Sequence, residues 1–106
     1  MIEKKKANRF RVMAALYEFT NGSTQKWVDL KGLAAESQIT GQNFVDAYKY
    51  LKDAKLIRAA GAGYTSFLTH NGIVEVEKAV TNPDIPTTHF PAVDDIGPVN
   101  GDKELL

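Results

Sequence analysis

Between residues 2 and 20 the apolar positions fall on two adjoining helical stripes, Phe10, Met13, Ala14 and Tyr17 on one and Val12, Leu16 and Phe19 on the other. Together they cover more than half of the circumference. A helix packed on one face needs only one such stripe, so this helix is expected to be covered from two sides, by its own core and by a partner or the C-terminal segment. Asn21-Gly22 supplies residues that accept a left-handed conformation and so ends it. Lys26-Trp27-Val28 reads as a short extended piece with Trp27 packed in the core or at its edge, and Asp29 is placed to cap a second helix over Leu30 to Ser37, with Leu30, Leu33 and Ala34 inward.

Thr40 stands at the N-cap of a third helix that runs to about Ala54, with Phe44, Ala47, Tyr48 and Leu51 on its apolar face. Two short β-prone stretches follow, Leu56 to Ala60 and Tyr64 to Leu68, joined by Gly61-Ala62-Gly63 as a hairpin loop with a glycine available for positive φ. Thr69 then caps a last helix over His70 to Val80, expected to bury Ile73, Val76 and Val80, and Asn82-Pro83 ends it. Prolines 83, 86, 91 and 98 all lie beyond that point. The division expected is a folded unit over residues 1–81 and an extended, proline-containing tail over 82–106, with Ile85, Phe90, Val93 and Ile96 as its docking residues and the last ten residues undocked.

A chain of 106 residues, 43% hydrophobic and 25% charged, fits one globular domain with a single modest core. It contains no apolar run long enough to span a bilayer and no signal-peptide core at its start, which points to a cytoplasmic protein without membrane contact. Without cysteine, and with only His70 and His89, thiol chemistry is excluded and neither a metal site nor a cofactor is expected. Neither a Ser-His-acid order, a phosphate-cradling loop nor a paired carboxylate pattern stands out, so no enzyme is expected. His70, at a helix start where a charged ring is disfavoured, is expected to cap or face solvent.

Thirteen basic and thirteen acidic residues balance overall, but not along the chain. Residues 1–58 hold eleven basic and six acidic groups, against two and seven in residues 59–106. A basic face is therefore available on the first half. Lys4, Lys5, Lys6, Arg9 and Arg11 form its densest cluster, readable either as phosphate contacts or as a solvated helix start.

The order helix, short strand, two helices, hairpin, helix resembles the winged helix-turn-helix domain, most closely bacterial transcription regulators of the MarR and PadR type. The resemblance spans residues 5 to about 80. It is carried by the apolar series Phe44, Ala47, Tyr48, Leu51, Leu56 and Ile57 and by "FLTHNGI" at residues 67–73, which matches the family's Leu-Thr-x-x-Gly closure. The fold class implied is mainly α (α+β), a winged helix-turn-helix with a wing of two to three short strands. Such proteins bind double-stranded DNA as dimers, so the resemblance implies a homodimer through the first and last helices. It also implies a third helix in the major groove, presenting Gln42, Asn43, Val45, Asp46, Lys49 and Tyr50.

Gln42 and Asn43 have amides able to pair with adenine, while Lys49, Tyr50, Thr40 and Arg58 offer contacts to phosphate. Two features depart from the family. Asp46 and Asp53 put negative charge on the outward face, where Lys49 is spaced for intrahelical pairing with both. The hairpin tip carries no cation, so it should add little affinity, leaving the third helix and the basic N-terminal half to supply it. The alternative reading is a winged-helix interaction module that does not read DNA.

Overall fold

The computed structural model describes residues 2–96, with side chains from Lys4 onward. Among these residues the elements run α1 (Ile2–Thr20), β1 (Val28–Asp29), α2 (Leu30–Ala35), α3 (Gly41–Asp53), β2 (Ile57–Ala59), β3 (Thr65–Leu68) and α4 (His70–Thr81), then a 3₁₀ turn at Val93–Asp95. The result is an α+β domain whose small antiparallel sheet has the order β1-β3-β2. Val28 sits opposite Ser66, and Ile57, Arg58 and Ala59 sit opposite Leu68, Phe67 and Ser66.

α1 is the axis of the domain, packed against α2, α3 and α4. Both of its apolar stripes are used, since Val12, Met13 and Leu16 are wholly buried and Phe10 nearly so, whereas Phe19 at the helix end is half exposed. The chain itself covers the second side. Phe90, fully buried, meets Phe10 edge to face with ring centroids 5.5 Å apart, and Val93 and Ile96 pack beside it. Ile85 stays exposed.

Three helices end by the same backbone device. Asn21, Gln38 and Lys55 each take positive φ (56°, 63° and 64°). The N–H of the following residue then returns to a carbonyl five residues back: Gly22 to Tyr17 at 3.0 Å, Ile39 to Ala34 at 3.1 Å and Leu56 to Leu51 at 2.9 Å. At Gln38 this reversal stops α2 at Ala35, short of the expected Ser37. Asp29 and Thr40 do occupy N-cap positions, but neither side chain makes a capping hydrogen bond.

Thr69 and Gly72 fasten α4 to the α3–β2 junction. The Thr69 hydroxyl donates to the Lys55 carbonyl at 2.8 Å and accepts the Gly72 N–H at 3.0 Å, while the Thr69 N–H reaches the Leu56 carbonyl at 3.3 Å. Gly72 is needed because a Cβ there would overlap the Leu56 carbonyl oxygen and come within 2.9 Å of Met13 Cε. This contact is the physical content of the Thr-x-x-Gly sequence.

It also sets the rotation of α4. With Gly72 against the junction, Val76 and Ala79 share its face and are buried, Ile73 is turned to half-burial, and Val80 is exposed rather than buried as expected. Trp27 is a second correction, for it is 65% exposed. Val28 takes the inward position of β1, and alternation turns its predecessor outward.

Two stability measurements follow. Gly72→Ala should destabilise the domain by about 1–3 kcal/mol in urea unfolding, the range of an overpacked core, and by more than Gly61→Ala. Gly61 has φ +70° but open space around it, so alanine there costs only the left-handed penalty, ~1–2 kcal/mol. Phe90→Ala should cost about 3–5 kcal/mol, as for a fully buried aromatic ring; a change below about 1 kcal/mol would mean that the segment after α4 is not part of the core.

Candidate nucleic-acid interface

α3 presents two flanks and an outer face. Phe44, Ala47, Tyr48 and Leu51 are buried, leaving Gln42, Lys49 and Asp53 facing solvent on the opposite side. Thr40 is exposed at the helix start, its hydroxyl unused for capping. The first two carriers of base-pairing amides part company here. Asn43 lies at a narrow recess beside Lys5, Asn8 and Arg9 of α1, whereas the Gln42 amide donates to Asp46 at 2.9 Å.

Asp46 is not left to repel an anion. Lys5 of α1 pairs with it at 3.6 Å, so the ion pair runs between helices and not to Lys49 within α3 as its spacing suggested. The hydrogen bond from Gln42 holds the Asp46 carboxyl below its ordinary value, assisted by the charges of Lys5 and Lys49. The N-terminal half of α1 is thus laid along α3 as a cationic flank, which is more than a solvated helix start.

Tyr50 turns toward the segment after α4. Its hydroxyl shares a 2.7 Å hydrogen bond with His89 Nδ1, and the Arg9 guanidinium lies 3.5 Å from its ring centroid. His89 is positioned by a local turn in which the N–H groups of His89 and Phe90 donate to the Thr87 hydroxyl at 3.2 and 3.0 Å. Tyr50 therefore anchors that segment to α3, a role different from the phosphate contact expected of it.

Arg58 lies exposed on the outer face of the β2–β3 hairpin, its guanidinium 4.3 Å from the ring centroid of Phe67, its register partner. Tyr64 packs inward, edge to face with Phe44 and Tyr48 at 5.0 and 4.7 Å. The tip is exposed, with positive φ at Gly61 and Gly63 and no side-chain charge. Lys52 and Arg58 border one concavity at the end of α3, Lys49 and Asp53 lie on the solvent face of that helix, and Lys5 and Arg9 stand on the α1 flank.

Apolar surface lies elsewhere. Ala14 and Ala15 of α1, Val76 and Val80 of α4, and Val93 and Ile96 line a groove of about 510 Å³, and Tyr17 at its margin donates to Glu77 at 2.7 Å. That bond, more than burial, raises the Tyr17 pKa. The exposed Phe19 and Trp27 border a second hollow with Leu33.

His89 is the participant that sequence reasoning did not assign to this surface. Lys5 and Arg9 belong to the basic cluster readable as phosphate contacts, but their partners Asp46 and Tyr50 on α3 were not foreseen. Comparison with protein-family models, curated proteins and solved structures finds no match for the chain. Among the described residues there is no group of three or more His, Asp or Glu placed to hold a metal ion, and no helix long and apolar enough to cross a membrane.

The Asp46 network has a definite pH signature. A carboxyl held below its unfolded value favours the folded state above that value, and the benefit is lost as pH falls through the folded pKa. In a side-chain NMR titration, Gln42→Ala should move the Asp46 midpoint upward toward that of an ordinary aspartate. An unchanged midpoint in the variant would show that the Gln42 amide does not hold the carboxylate.

Proposed function

We propose that the chain is a winged helix-turn-helix transcription regulator that binds double-stranded DNA, with α3 in the major groove and the β2–β3 hairpin as a short wing. One observation carries this reading: Asp46, the acidic residue nearest the first turns of α3, is matched by Lys5 of α1 at 3.6 Å, so its carboxylate is compensated beside the exposed Lys49. Thr40, Gln42 and Asn43 stand at the first turn of α3, where base edges and the nearest phosphates would lie. Tyr50 contributes indirectly, by fixing the helix to the segment behind it. The element order supports the same reading, with α2 and α3 joined by the tight reversal at Gln38.

The homodimer in this proposal uses α1, α4 and the residues after α4, where the apolar groove around Ala14, Val76 and Val80 is available. An interaction module that does not read DNA is the second reading. It is favoured by the engaged amide of Gln42 and by the exposed Trp27 and Phe19.

The two readings separate in a fluorescence-anisotropy titration of duplex DNA at several salt concentrations. The DNA reading expects affinity to fall steeply with salt, and Lys49→Ala to reduce the slope of log K against log salt by about 1 per chain bound. Absence of binding at low salt, or binding insensitive to salt, would leave only the interaction module.

A further inference from the structure

Beyond the C-terminus of α3 the surface opens into a second concavity. It has a volume of about 540 Å³ and gathers Lys52 and Lys55 from the end of α3, Arg58 from β2, and Thr69, His70 and Asn71 from the start of α4. No acidic residue lines it. Among the described residues, Lys52, Lys55 and Arg58 have no ion-pair partner, although the chain as a whole carries as many acids as bases.

The fold brings these cations together. Positive φ at Lys55 reverses the chain between Lys52 and Arg58, and Thr69 holds the Lys55 carbonyl, which brings the start of α4 to the same place. Lys52 Nζ lies 5.5 Å from the ring centroid of Tyr48, and the Arg58 guanidinium 4.3 Å from that of Phe67. Contact with an aromatic face positions a cation without neutralising it. Like charges gathered this way repel one another, and an anion seated among them relieves that repulsion.

We propose that this cleft binds a phosphate oxyanion, and that its ligand is a backbone phosphodiester of duplex DNA lying outside the groove that α3 enters. The assignment to DNA rests on the function proposed above. The cleft is open to solvent rather than enclosing, which suits a phosphate on a polymer better than a small anion that must be surrounded. Lys49 and Lys52, three residues apart on α3, join it to the outer face of the helix. Lys52, Lys55 and Arg58 carry the site; the positive end of α4 adds to their field.

The test uses the full chain, a labelled duplex of mixed sequence and, separately, inorganic phosphate. Lys52→Gln with Lys55→Gln should weaken duplex binding about tenfold at low salt and reduce the salt slope by about 1–2. Lys78→Gln, at a lysine already paired with Glu75 at 3.6 Å, should leave both unchanged. Far-UV circular dichroism checks that each variant is folded. Salt-dependent binding by the wild type, unaltered in the double variant, overturns the cleft and spares the DNA reading. If the wild type binds no duplex, the DNA reading falls and inorganic phosphate decides for the cleft. Amide shifts at His70 and Asn71 that the double variant lacks uphold an oxyanion site there, and their absence overturns it.

Discussion

The contact between α4 and the α3–β2 junction is the constraint on which the rest depends. Thr69 bonds to the carbonyl of Lys55 and Gly72 comes against that of Leu56, so one turn of α4 is locked to the point where the chain leaves α3. Three consequences follow from the lock. The hairpin is held at the end of α3, the rotation of α4 is set with Val76 and Ala79 inward, and Lys52, Lys55 and Arg58 are gathered at one edge. Loosening it would move the fold and the charge pattern together.

α1 makes the second contribution, electrostatic as much as steric. Its apolar stripes form the centre of the core, while Lys5 and Arg9, on its first turns, are laid against α3 at Asp46 and Tyr50. A chain with no net charge thereby acquires a cationic edge. Exposed ion pairs of this kind add little to stability, so the interest of Lys5 lies in what it does to the local potential, masking Asp46, one of the two carboxylates on the outer helix face, while Asp53 stays exposed near its end.

The local pattern was legible where side-chain periodicity and punctuation agree. The faces of α1 and α3, the strand pair and the Thr69 cap all follow from residues close in sequence. The end of α2 was not, because Gln38 takes the left-handed conformation without being glycine, and only the bond from Ile39 to Ala34 reveals it. Val80 was misplaced because the rotation of α4 is fixed by a backbone contact at Gly72, which hydrophobicity does not encode. Trp27 was misplaced because its size outweighed the alternation that turns it outward. At the candidate interface, the pairs Lys5–Asp46 and Tyr50–His89 join residues far apart in the chain, so their side chains looked free to meet DNA until the fold brought their partners to them.

The claim that ties these features together is that the edge presented by the junction, from α3 through β2 to the start of α4, is where nucleic acid is held. Its most direct test is an amide chemical-shift map of the ¹⁵N-labelled chain titrated with a short duplex at low salt. The account expects the largest shifts between residues 41 and 58 and at His70 and Asn71, with little change around Trp27 or Val80. Shifts confined to the apolar groove between α1 and α4, or no shifts at all, would contradict it.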